Sequence, residues 1–174
     1  MTNKAVTTKS LIMQRTKQAA NNTVWTPIDF IDIGSRLVID KTLQRMVISQ
    51  ELRRIGRGLY DKPQINALTG KLAAPDYWKI IEAVARRDQV RMLIDGLTCA
   101  NELGLTNAVL GKVIVHTDGR LLSIQLDKLI IKFKLTAASK LYWAGRPAMR
   151  IVQALYWLHS SSKNVNFKVT EVIK

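Results

Sequence analysis

The sequence predicts an α+β chain in two parts. A helical front ends in a small β-hairpin, and a mixed α/β back carries an antiparallel meander. Three observations predict it. Behind Ser35, Ile39, Leu43, Met46 and Val47 recur as one apolar stripe of a helix. Directly after that helix, two short strand patterns, 51–55 and 58–61, flank the tight connection Gly56-Arg57-Gly58. Further on, strand patterns at Lys112–Thr117, 121–126 and Leu129–Leu135 follow one another, joined by Asp118-Gly119 and Asp127-Lys128.

In order, the first helix covers 8–20, with Leu11, Ile12 and Ala19 inward and Lys9, Arg15 and Lys17 around them. Asn21-Asn22 end it, and 23–25 is a short strand able to pair with the hairpin. Thr26-Pro27 start a second helix over 26–33: threonine as N-cap, proline at the first helical position, Asp29 in the first turn. Ile28, Phe30, Ile31 and Ile33 make it strongly apolar, Gly34 closes it, and Trp25 and Phe30 read as core. Ser35 caps the third helix with its hydroxyl. At about 100° per residue, the side away from the apolar stripe carries Leu37, Lys41, Gln44 and Arg45. Arg36 sits on the first turn, where the helix dipole offers a cation nothing, so an outside anion would explain it. Glycines on both sides leave Arg57 at the hairpin tip, with Arg53 and Arg54 on the same ribbon.

Helix, strand, helix, turn, helix, hairpin is the order of a winged helix-turn-helix, whose helix after the turn enters the major groove of duplex DNA. The plainer alternative is a solvated charge run on an ordinary α/β surface. This reading makes 1–63 a winged helix-turn-helix domain. Residues 64–74, with Asn66 and Gly70 inside and Pro75 just after, read as a linker, and 75–174 as a second, α+β domain.

The second domain opens with a helix through Asp88. Tyr77, Ile80, Ile81 and Val84 face inward, Trp78 and Ala85 border them, and Glu82, Arg86 and Asp88 suit the solvent side. A strand at 90–94 and a helix at 97–105, closed by Gly104, come next. Cys99 on the apolar side of that helix reads as a small core residue, since no histidine or carboxylate is spaced to activate it. In the last strand Ile131 and Phe133 alternate with Lys132 and Lys134, so one face is wet. A helix over 148–159 starts near Pro147 and buries Ile151, Val152, Leu155 and Leu158, leaving Tyr156 and Trp157 on its remaining surface. Residues 160–166 read as loop, and a further element begins at 169.

Composition narrows the partner. The 174 residues carry 27 basic and 13 acidic side chains, a net charge of +14, which favours a polyanion because each neutralised phosphate releases counterions. The excess is spread: 1–63 holds 11 basic and 5 acidic residues, or +6, and 64–174 holds +8. Arrangement, not total, singles out the front. A lone cysteine excludes an intramolecular disulfide and suits a reducing cytoplasm. No stretch approaches the roughly 18 apolar residues of a membrane span, and the N-terminus lacks a signal-peptide pattern, so a cytoplasmic protein without a membrane partner is expected.

Catalytic and cofactor motifs are missing. His116, His159 and one cysteine do not make a zinc site, and no phosphate-binding glycine loop or nucleophile elbow occurs. His116-Thr-Asp118 reads as structural rather than as a relay. Glu82, Asp95, Glu102, Asp118 and Asp127 are scattered rather than clustered for nuclease work. The expectation is a protein without metal or cofactor that is not an enzyme.

Trp25-Thr-Pro-x-Asp-Phe, Gly34-Ser-Arg, Asp40, Leu43-x-Arg45 and Leu52-Arg-Arg-Ile-x-Arg57-Gly-Leu-Tyr-Asp together resemble the AbiEi-like antitoxins of bacterial type IV toxin–antitoxin and phage-defence loci. The resemblance continues through Pro75-Asp76, Asn101-x-Leu-Gly-Leu and the Thr117-Asp-Gly turn. It implies a winged helix that represses its own operon by binding inverted repeats upstream. It also implies a back domain that counters a cognate nucleotidyltransferase toxin, and paired copies on a palindromic site. Carried over, Ser35, Arg36, Lys41, Gln44 and Arg45 would face the groove and Arg53, Arg54 and Arg57 would lie on the wing. Arg36 and Gln44 would touch base edges, and the other cations phosphate. Members of that family continue with further helices, so the resemblance implies a back domain extending beyond this chain. A competing expectation is a winged-helix protein-interaction module with no role for DNA.

Overall fold

The computed structural model describes residues 7–20 and 22–172, with 163–172 described by backbone alone. The fold is α+β, with two sheets, and divides into two compact units, Met1–Gln89 and Val90–Lys174. The expected features of residues 1–6, Asn21 and 173–174 lie outside the described residues.

Helix α1 (Thr8–Gln18) starts at a reciprocal cap: the Ser10 amide donates to Thr7 Oγ1 at 3.1 Å and the Thr7 amide to Ser10 Oγ at 2.9 Å. Strand β1 is Val24–Trp25. The segment expected as an α-helix over 26–33 is instead a 3-10 helix, Pro27–Phe30. The Asp29 carboxylate reaches back to the Thr26 amide (2.7 Å) and hydroxyl (2.9 Å), and the next amides bond three residues back.

Helix α2 (Arg36–Ile48) buries Ile39, Leu43 and Met46, as its period requires. It ends where Gln50 takes a left-handed backbone (φ 58°) and the Glu51 and Leu52 amides both return to the Met46 carbonyl. Strands β2 (Arg53–Gly56) and β3 (Leu59–Asp61) follow at once. The sheet runs β1-β3-β2, all antiparallel, with Val24 opposite Asp61 and Trp25 opposite Tyr60. One core holds these elements together: Ile12, Phe30, Ile39, Leu43, Met46, Leu52 and Tyr60, with Trp25 packed against it.

Two expectations about the middle of the chain are corrected. Residues 64–74 are a folded excursion, not a linker. Ile65 bridges Leu72, the Ala73 amide donates to Gln64 at 2.7 Å, and the Asn66 carboxamide accepts from the Leu68 amide at 2.9 Å. Helix α3 (Tyr77–Asp88), capped by Asp76, belongs to the first unit, against β1 and β3. The boundary thus falls after Gln89, whose left-handed backbone (φ 55°) ends α3.

The second unit contains β4 (Met92–Ile94), α4 (Gly96–Glu102), β5 (Lys112–Thr117), β6 (Ile124–Leu126), β7 (Leu129–Leu135) and α5 (Met149–Val172). Its sheet order is β4-β5-β7-β6, and β5 and β7 are parallel, with Val113 opposite Ile131 and Val115 opposite Phe133. The expected antiparallel meander is therefore wrong. Asp127, at φ 45°, does turn β6 into β7, but Asp118-Gly119 does not join neighbouring strands. Asp118 is drawn instead toward the start of β4, where it accepts from the Arg91 amide and guanidinium, both at 2.9 Å. Gly119 lies so close to Val90 that a Cβ there would fall 2.5 Å from Val90 Cγ1.

Helix α5 departs from expectation in length and phase. Residues 160–166 lie inside it, and it buries Ala154 while Ile151 and Leu155 stay exposed. The cause is close approach to α4. A Cβ on Gly96 would sit 2.4 Å from the Gln153 carbonyl oxygen and 2.6 Å from Trp157 Cβ, so glycine lets the two backbones meet along that line.

Candidate nucleic-acid interface

Lys41, Gln44 and Arg45 stand exposed on one side of α2, three and four residues apart, opposite buried Ile39, Leu43 and Met46. Leu37 and Ile48 are exposed on the same helix, at 65% and 76%. Ser35 is exposed and occupies the N-cap position of α2 as expected, but its hydroxyl makes no cap bond. Arg36 is not an orphan cation either: its Nε donates to Asp40 at 2.9 Å, one turn on.

The three hairpin arginines separate. Arg53, at the base, grips Asp61 with two bonds of 2.9 and 2.5 Å and gives a third, at 2.9 Å, to the Ala73 carbonyl. That pairing raises the guanidinium pKa above its ordinary value and ties the hairpin to the excursion that follows. Arg54 is exposed, with only a 3.3 Å bond to the Gly56 carbonyl. Arg57 is exposed at the tip beside Gly58, whose φ of 64° requires the freedom glycine has.

Charge pairing in the first unit is selective. Asp29, Asp32, Asp40, Glu51, Asp61, Glu82 and Asp88 are each bridged to a Lys or Arg, and Asp76 caps α3. Among the described residues of that unit, the cations left without an ion pair are Lys17, Lys41, Arg45, Arg54, Arg57, Lys62 and Lys71. Helix α2 and the hairpin therefore present cations no internal carboxylate neutralises.

Sequence reasoning missed what α3 does here. Arg86 is exposed, as expected, but also bonds Asp29 and the Val24 carbonyl (3.2 Å). Arg87 pairs with Asp88 and donates at 2.5 Å to the backbone carbonyl of Arg57. The signal that could have found it was Arg86-Arg87-Asp88 in a last helical turn, where the dipole favours cations.

Several polar groups of the second unit take partners within it. His116 Nδ1 lies 3.0 Å from Thr136 Oγ1, while Asp118 holds Arg91, so the two take separate partners. Burial, and then Lys134, lower the His116 pKa. Cys99 is fully buried and desolvation pushes its thiol up to about 12. Asp95 caps α4 through Thr98 and also accepts from the Ile114 amide. Among the described residues no group of three or more His, Cys, Asp or Glu is placed to hold a metal ion. Among them, too, no helix is long and apolar enough to cross a membrane.

These features define an α+β protein of two compact units whose first unit carries an unneutralised cationic helix and hairpin. The chain belongs to the family of unknown function designated DUF6088, which matches residues 11–174. Comparison with curated proteins and with solved structures gives no match.

Proposed function

We propose that this chain is a non-catalytic, DNA-binding regulator whose residues 8–61 work as a winged helix-turn-helix. Helix α2 enters the major groove and the β2–β3 hairpin is the wing. The observation that carries the reading is the selective ion pairing. Lys41 and Arg45 on α2, and Arg54 and Arg57 on the hairpin, have no ion-pair partner among the described residues, while the carboxylates of the unit are already taken. Gln44, between the α2 cations, is the natural base-reading side chain, and the cations meet phosphate. Arg53 is outside the contact set because its guanidinium is committed to Asp61. By the resemblance to AbiEi-like antitoxins, the DNA would be inverted repeats upstream of the chain's own operon, bound by paired copies in the cytoplasm. The second partner would be a cognate nucleotidyltransferase toxin.

Fluorescence anisotropy of the full chain on a duplex from its own upstream region tests this across a salt series. Lys41→Ala, Arg45→Ala and Arg57→Ala combined should weaken binding and flatten the log–log salt slope by about 0.9 for each phosphate no longer neutralised. Unchanged affinity and slope would overturn the assignment. The antitoxin half rests on the neighbouring reading frame: co-expression with a nucleotidyltransferase encoded there should restore growth, and continued arrest would reject it.

One observation favours a second reading. Leu37 and Ile48 expose apolar surface at the two ends of α2, as a protein-docking helix would. A module of that kind would bind its partner with little salt dependence and would ignore DNA.

A further inference from the structure

We infer that Arg87 is a positioning residue for the hairpin tip, holding Arg57 where it meets a phosphate. The inference rests on the DNA-binding reading above. The Asp88 carboxylate takes Arg87 Nε at 2.9 Å and Nη2 at 2.7 Å, which fixes the plane of the guanidinium. The remaining Nη1 then points at one acceptor, the Arg57 carbonyl, 2.5 Å away. The Arg87 stem also lies along the tip. A Cβ added to Gly58 would be 3.7 Å from Nη1, 3.8 Å from Arg87 Cδ and 3.9 Å from Pro27 Cδ, so the turn rests on α3 and the 3-10 helix together. The neighbouring Arg86 grips Asp29 and the Val24 carbonyl, which anchors the same helical turn to that 3-10 helix and to β1.

A two-strand ribbon with glycines on both sides of its tip is otherwise free to sway, and a swaying tip loses entropy when it docks. Bonding the tip through its backbone restrains it while leaving the Arg57 side chain exposed. Because Arg87 is already neutralised by Asp88, its contribution is geometric rather than one more cation for the DNA.

The test is a double-mutant cycle on the full chain, read as affinity for the upstream duplex. Arg87→Ala should weaken binding about tenfold, as expected when one charge-assisted hydrogen bond is removed. In an Arg57→Ala background the same change should cost less than about twofold, because the side chain it positions is gone. Arg87→Lys, which keeps a donor but not the fork, should fall between wild type and alanine. Asp88→Asn separates geometry from charge. It makes the protein more positive, so electrostatics alone predicts tighter binding, whereas a released clamp predicts weaker binding. Equal loss from Arg87→Ala in both backgrounds, or tighter binding by Asp88→Asn, overturns the inference.

Amide hydrogen exchange without DNA gives an independent reading. At unchanged melting temperature, the Gly58 and Leu59 amides should exchange at least about tenfold faster in Arg87→Ala. Unchanged exchange rejects the brace whatever the DNA result. Faster exchange together with an Arg57→Ala that binds normally keeps the brace and rejects the DNA-binding role of the tip.

Discussion

The first unit closes a wholly antiparallel sheet: β2 folds back on β3, and β1 pairs with β3 from the far side of α2. The second unit instead inserts β7 between β5 and β6, so its central pair is parallel and β6 is left at the sheet edge, paired only with β7. Their helices differ in the same sense. Helix α2 buries the stripe its own period dictates, whereas α5 buries Ala154 and is placed by the absence of a side chain at Gly96. One unit is built by local pattern and finished by ion pairs. The other is built around a close backbone approach that no local pattern announces.

The largest expected effect breaks the second unit at that approach. Gly96→Val puts new atoms into the Gln153 backbone carbonyl, which has no flexible end to give way, and should destabilise the chain by about 3 kcal/mol or more. Gly111→Ala is the control, since a Cβ there meets nothing within 4 Å, and should stay within about 0.5 kcal/mol. Chemical denaturation of the two variants checks the contrast, and equal midpoints would mean that α4 and α5 do not depend on the glycine.

The middle effect probes the first unit's ion pairs. Asp61 has a side-chain exposure of only 6% and Arg53 27%, so Asp61→Ala leaves a partly desolvated guanidinium with the Ala73 carbonyl as its remaining partner. A loss of about 2 kcal/mol is expected, below the full cost of a deeply buried broken pair. Arg57→Ala on the same ribbon should change stability by less than about 0.5 kcal/mol. Urea unfolding that ranks the two variants equally would remove the distinction between hairpin base and tip.

How far the sequence carried follows from the same contrast. The α2 stripe was legible because it depends on residues near one another in sequence, and the pairing of β1 with the hairpin and the burial of Phe30 because short strand and apolar patterns marked them. So was Cys99 as a core residue. The β5–β7 pairing was not legible, because a parallel partner is chosen by tertiary fit and two candidate turns of similar composition preceded it. Nor was the phase of α5, since Ile151 and Leu155 have the right spacing and only the approach at Gly96 decides which side is covered. At the candidate interface the residue types on α2 and the hairpin were visible, but their partners were not. Arg36 meeting Asp40, Arg53 meeting Asp61 and Arg87 reaching the Arg57 carbonyl sort the arginines in a way charge counting cannot.

The smallest effect sharpens the comparison with one arginine–carboxylate fork from each unit. Arg15 holds Asp32 through two bonds, of 2.8 and 2.5 Å, and Arg91 holds Asp118 at 2.9 Å with a further 2.9 Å bond from its own amide. In both cases the arginine hydrogen bonds keep the carboxyl below its ordinary pKa. A depressed folded pKa gives stability that is complete above the ordinary carboxylate pKa of about 4 and is lost as pH falls through the folded value. Asp32→Asn and Asp118→Asn should therefore each lower the melting temperature slightly at neutral pH, change it least at the acid end, and so flatten the acid limb of the profile below about pH 4. Salt then distinguishes them. The Asp32 fork relies on the guanidinium, so roughly 1 M salt, with a Debye length near 3 Å, should erase most of its pH dependence. Asp118 keeps its backbone amide donor, which salt does not screen, and should retain a residual acid sensitivity that Asp118→Asn removes. Identical salt responses would show that the amide bond contributes nothing to the ionised form.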